Sequence, residues 1–168
     1  MIVLGLTMGM QPIVGYNFGA QKIDRVKQTL RLGIISGVVI TSSGFVICEF
    51  FPHAVSALFT DSDELINLAV EGIRLAVLMF PFVGAQIVIG NFFQSIGKAK
   101  ISIFLSLTRQ LLYLLPCLLL FPQWWGLKGV WISMPVSDAL AFVTAVISLM
   151  IYIKKVSKEH PIANKVAE

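Results

Sequence analysis

The chain has 168 residues, of which 57% are hydrophobic and 13% charged, and its net charge is +4. Soluble domains carry a charged fraction of about 25%, so this chain has too little polar surface to wrap a water-soluble domain of its size. A soluble enzyme and a disordered chain are both excluded. At about 20 residues per span the length holds no more than five membrane spans with short loops. The expected fold class is all-α, a polytopic membrane helix bundle.

The first apolar segment covers residues 1–19 and ends in Gly15-Tyr16-Asn17-Phe18-Gly19. Residues 20–31 (AQKIDRVKQTLR) hold four basic residues and one acid. Ile23, Val26 and Leu30 fall on one face there, which predicts a separate interfacial amphipathic helix before a second span at 32–51. The connector 52–64 ends in Asp61, Asp63 and Glu64, and Asp61 with Glu64 has capping-box spacing. A third apolar run extends from Leu65 to Ile96, about 48 Å if helical throughout. That exceeds a hydrocarbon core of about 30 Å. Its membrane span is therefore placed at 75–96, with the turns carrying Glu71 and Arg74 projecting.

After the short connector Gly97-Lys98-Ala99-Lys100 comes a fourth span at 101–121. Pro122 to Lys128 follows, with Trp124 and Trp125 as a boundary pair. A fifth span at 130–153 leads into a basic tail, 154–168, so the bundle as a whole is 1–153. Lysine and arginine alternate between connectors, which puts 20–31, 97–100 and the tail in the cytoplasm. With five spans the N-terminus then faces outside, although Met1 has no basic flank and no signal-peptide layout. Such a start is expected of a C-terminal fragment cut from a larger protein. Basic residues placed as topology signals leave no nucleic-acid footprint. Cys48 and Cys117 lie in apolar runs, as small hydrophobes do.

Within lipid, the informative positions are those that break apolar regularity. Pro12, Pro81, Pro116 and Pro135 each remove a backbone donor inside a span and are candidate kinks. Gly5–Gly9, Gly15–Gly19 and Gly33–Gly37 have the spacing that permits close helix contact. Arg109 and Asp138 are the two charges deep inside spans. Each lies about 12 Å from opposite ends of antiparallel helices, within about 6 Å of one another in depth. They are a candidate intramembrane ion pair; the other reading is a proton- or cation-linked switch at Asp138. Gln11, Asn17, Gln86, Asn91 and Gln94 are candidate cavity-lining amides, with interhelical packing as the alternative, and Gln110 belongs to the same class. Gln86 and Gln94, eight apart, are expected on roughly one face. His53 and His160 have no second ligand at metal spacing, and no serine or cysteine has a histidine base nearby, so neither a metal site nor a catalytic role is expected.

Gly9-Met10-Gln11-Pro12-Ile13-Val14-Gly15-Tyr16-Asn17-Phe18-Gly19-Ala20, followed by Arg25, resembles the end of the eighth helix of the MATE (multidrug and toxic compound extrusion) transporters. Gln94 to Lys100 resembles the junction of their tenth and eleventh helices. Ser106-Leu107-Thr108-Arg109-Gln110, Val130-Trp131, Pro135 and Asp138 resemble the last two helices of the bacterial MepA-like branch. The resemblance implies helices eight to twelve of a twelve-helix protein of two lobes, in the bacterial cytoplasmic membrane with a cytoplasmic C-terminus. It also implies export of amphipathic, often cationic drugs in exchange for Na⁺ or H⁺, with no cofactor beyond that ion. The partners it implies are drug-like substrates, the lipid bilayer and a missing N-terminal lobe, without which this segment is expected to be inactive. One departure stands out. Some members carry an acid in the stretch matching Phe80-Pro81-Phe82-Val83-Gly84-Ala85-Gln86, and this chain has none, so a Na⁺ site does not carry over. A polyprenyl-linked saccharide flippase of the related superfamily and a non-transporting membrane fragment are the competing readings.

Overall fold

A computed structural model describes residues 1–159, all of them in helices or short connections. The helices are α1 (Ile2–Gly19), α2 (Ile23–Phe50), α3 (Pro52–Ala57), α4 (Asp63–Val77), α5 (Phe80–Ser95), α6 (Ala99–Leu107) and α7 (Leu115–Glu159), with a π-helical segment at Thr108–Leu114. By length and apolarity, Ile23–Phe50 and the 58-residue stretch Ala99–Val156 qualify to cross a membrane, and α4 with α5 makes a third candidate if the bent pair is one span. A straight helix of 58 residues would reach about 87 Å, but this one turns back on itself. Gly126 has φ 54° and ψ −135°, a conformation for which glycine is suited. The Tyr113 and Thr144 hydroxyls, 31 positions apart, meet at 2.8 Å across the resulting hairpin.

α5 is the hub. It packs against α1, α2, α6 and α7, and Ala85, Val88, Ile89, Phe92 and Phe93 are buried. Its contact with α2 depends on glycine. A Cβ on Gly84 would overlap the Gly37 carbonyl oxygen and lie 2.5 Å from Thr41 Oγ1. Gly33 lies beneath Met10, where a Cβ would stand 2.7 Å from the sulfur. Gly33–Gly37 is thus a working small-residue face. Gly5, Gly9 and Gly19 have open space at the Cβ position, so the other two glycine pairs do not serve in the same way. Many large apolar side chains elsewhere point outward, among them Leu32, Val39, Leu111, Leu115, Val143 and Ile147. In a membrane protein such a surface meets lipid or other protein segments.

Several sequence expectations are corrected. Residues 23–31 form the first turns of α2 rather than a separate interfacial helix, because nothing between Arg31 and Leu32 breaks the backbone. Val26 and Leu30 are buried in the main core. The third apolar run is not one straight rod: α4 and α5 meet at a 50° bend. Pro81 stands in the first turn of α5, where its missing N–H costs no helical bond, while the Val77 carbonyl loses its i+4 donor. The N-cap of α4 is Ser62, without a side-chain cap bond, so Asp61 and Glu64 do not form a capping box. The loop expected at 122–128 shrinks to the reversal at Gly126, beside exposed Trp124 and Trp125. α7 runs to Glu159, past the expected tail start at 154; His160 and the rest of the tail lie outside the described residues.

Two helix ends use the paired backbone bonds of a left-handed cap. After α5, Gly97 has φ 75°, and Lys98 N–H donates to the Phe93 carbonyl at 2.8 Å. After α1 the same position is Gln21, φ 57°, with Lys22 N–H donating to the Asn17 carbonyl at 2.9 Å. A side chain is strained there. Gln21→Gly is expected to raise stability by about 1 kcal/mol, read as a later unfolding midpoint in detergent. Gly84→Leu is expected to abolish the monodisperse folded peak in fluorescence-detected size exclusion. Gly9→Leu, with open space at its Cβ position, is expected to leave that peak intact.

Candidate functional site

The polar groups inside the bundle form two separate sets. The first joins α1 to α5, where Gln11 Nε2 donates to Asn91 Oδ1 at 3.3 Å. The Asn91 amide nitrogen donates back to the Ile87 carbonyl at 2.9 Å, so this side chain both braces its own helix and receives its neighbour. Gln86, one turn and a half earlier on α5, is 8% exposed, and its Oε1 is a buried acceptor without a hydrogen-bond partner. Such an atom is costly unless something donates to it. Asn17 is also buried, but its Nδ2 satisfies itself on the Ile13 carbonyl at 2.8 Å.

Gln94 is exposed and does not share the surroundings of Gln86. Eight residues advance a helix by about 800°, some 80° past two full turns, which is enough to carry Gln94 off the buried face. Gln110 is exposed as well. The amides named from the sequence therefore divide: Gln11 and Asn91 meet, Gln86 and Asn17 are buried, Gln94 and Gln110 face outward.

The second set holds the helical hairpin together. Arg109 Nε donates to Asp138 Oδ1 at 2.8 Å, with side-chain exposures of 34% and 10%. Arg109 belongs to the π-helical segment, and Thr108 beside it is buried. No sequence reading anticipated that segment, yet its cause is visible at Pro116. A proline cannot donate to the carbonyl four residues back. The last N–H before it, that of Leu115, reaches Gln110 five residues back instead. Widened turns of this kind occur often where a helix carries function. Pro12 and Pro135 lie inside α1 and α7, and Pro135 is buried. Trp131, on the returning arm, packs over Gly72 of α4, where a Cβ would lie 2.7 Å from the indole. Among the described residues no group of three or more His, Cys, Asp or Glu could hold a metal ion.

The MatE family model matches residues 1–119. The chain belongs to the MatE family. It is 24% identical over 157 residues to the multidrug export protein MepA of Staphylococcus aureus, covering 91% of this chain and 33% of that protein. It is 23% identical over 143 residues to the FAD transporter of Shewanella oneidensis, 83% of this chain and 31% of that one. Its fold superimposes on the MATE multidrug transporter DinF-BH with a TM-score of 0.83 at 37% identity, over 88% of this chain and 33% of that chain. This MatE chain thus spans about a third of the length of the relatives it matches.

If the Arg109–Asp138 bond braces the hairpin, neither charge tolerates loss of the other. An unpaired charge at mid-membrane costs about 2.5–3.5 kcal/mol. Arg109→Leu and Asp138→Leu are each expected to lower the folded yield in detergent. The double variant is expected to recover most of it, which a double-mutant cycle on unfolding midpoints measures.

Proposed function

We propose that this chain forms part of one lobe of a multidrug efflux antiporter, which exports amphipathic, often cationic compounds in exchange for Na⁺ or H⁺. The observation that carries this reading is the match to DinF-BH, a MATE multidrug transporter, at 37% identity and a TM-score of 0.83. The five helical legs are α1, α2, the α4–α5 pair and the two arms of the hairpin. They are taken as five membrane crossings in a bacterial cytoplasmic membrane, with residues 20–31, 97–100 and the C-terminus inside. Alternating access asks one bundle to rock against another around a central site. The chain alone supplies one side of that site and is inactive without the rest.

In this reading the bend between α4 and α5 and the π-helical segment are where helices change shape, since their backbone ladders are already interrupted. Gln11, Asn91 and Gln86 form the polar lining nearest the substrate path. Gln86 Oε1, a buried acceptor without a partner here, is suited to receive a donor from water or from a substrate cation's N–H groups. Arg109–Asp138 is a structural brace rather than the ion-coupling site, because the guanidinium already holds the carboxylate. A saccharide-diphosphate flippase would need several unpaired cations facing its cavity, and the membrane-depth arginine here is paired.

Ethidium accumulation in bacteria lacking their own pumps tests the proposal. The longer protein containing this segment is expected to lower accumulation severalfold, and the 168-residue chain alone is expected to leave it unchanged. Export by the chain alone would overturn the one-sided reading, and no export by the longer protein would overturn the drug-efflux reading.

A further inference from the structure

Between α2 and the last part of α7 runs a groove of about 310 Å³. Two cations of α2 line it, Lys27 and Arg31, and its walls are apolar, with Ile34 and Ile35 from α2 and Leu149 and Ile153 from α7. Among the described residues neither cation has an ion-pair or hydrogen-bond partner for its side chain. Asp24, the acid one turn before Lys27, is exposed and does not line the groove. Arg31 is exposed, whereas Lys27 is half-buried, its stem laid along the apolar wall and its charge left without a counter-ion.

The arrangement has a direction. Lys27 and Arg31 are four positions apart, about 6 Å along one stripe of the helix, close enough for a single phosphate to meet both. Ile34 and Ile35 continue that stripe for roughly another turn, ending about 12 Å from Lys27. Positive charge therefore gathers at the end of α2 that starts the helix, and the apolar walls lead from it toward the middle of the span. Ile35 is also among the outward-facing apolar residues, so the groove opens onto the outer surface of the bundle. A small soluble anion would use the cations and leave the walls idle, and a neutral amphiphile would leave the cations unneutralised. An anionic phospholipid uses both, with its phosphate between the ammonium and the guanidinium and an acyl chain along the isoleucines. Basic pockets between helices on the cytoplasmic side of a membrane are suited to such headgroups.

We propose that the groove between α2 and α7 is a binding site for one anionic phospholipid of the cytoplasmic leaflet. The leaflet rests on the membrane orientation proposed above; the lipid class rests on the groove itself. A lipid bound there would bridge two helices that both pack on α5, so that the charge of the membrane acts on the bundle directly.

Native mass spectrometry tests the site without measuring transport, using the 168-residue chain and, beside it, the longer protein that contains this segment. Each is released from micelles doped with phosphatidylglycerol or phosphatidylcholine. The expected result is preferential retention of phosphatidylglycerol by both. Lys27→Gln and Arg31→Gln are each expected to weaken that retention about fivefold, and Lys27→Arg is expected to preserve it. A control pair that removes equal charge from the same segment outside the groove (Lys22→Gln with Arg25→Gln) is expected to change little. Ile35→Ser, at an outward-facing position where folding is not at stake, should weaken retention, and inorganic phosphate should compete poorly. Equal retention of the two lipids, an equal loss in the control pair, unchanged retention in Ile35→Ser, or full competition by inorganic phosphate would each overturn the proposal. So would a preference shown by the chain and absent from the longer protein, since another protein segment would then cover the groove. None of these outcomes depends on ethidium export, so this proposal and the efflux reading fail separately.

Discussion

The close approach of α2 and α5 at Gly37 and Gly84 is the constraint on which the rest of the bundle depends. In water, burial of apolar surface drives helices together; in lipid the tails are as apolar as leucine and that drive is lost. What remains is packing, and packing is best where backbones come within reach of each other. Gly84 lies so close to the Gly37 carbonyl that no side chain fits between them. This contact sets the position of α5, and α1, α6 and α7 are then arranged around α5.

A second constraint is that backbone groups in lipid must be satisfied within the chain. Three of the irregularities among the described residues coincide with a residue that accounts for them. Pro81 begins α5 after the bend, Pro116 follows the π-helical segment, and Gly126 reverses α7. Thr41 illustrates the local repair: its hydroxyl donates to the Gly37 carbonyl at 2.9 Å and lies 3.5 Å from that of Pro81, beside the break. The breaks in these helices are therefore chemically defined places, and the Arg109–Asp138 bond spans the hairpin next to one of them.

Polar side chains show how far spacing alone reaches. The depth argument that put Arg109 and Asp138 at one level needed only span limits and the rise per residue, and the two side chains are in contact. Angular spacing did not separate Gln86 from Gln94: eight residues overshoot two turns by about 80°, and the first is buried while the second is exposed. It also missed the Gln11–Asn91 bond, which joins residues 80 positions apart and carries no local signal.

Composition, apolar runs and charge placement determined by themselves that this is an all-helical membrane bundle, roughly where its helices run, and which residues break their regularity. Those properties depend on transfer of each segment between water and lipid, which is local and nearly additive. Tertiary structure alone decided which glycine pair is a contact, that residues 23–31 belong to α2, and that the third apolar run bends by 50°. The same holds for the groove between α2 and α7, whose cations come from one helix and whose apolar walls come from both. These outcomes depend on which faces meet across the bundle, and a face is a sum of rotations along each helix that only packing against a neighbour resolves.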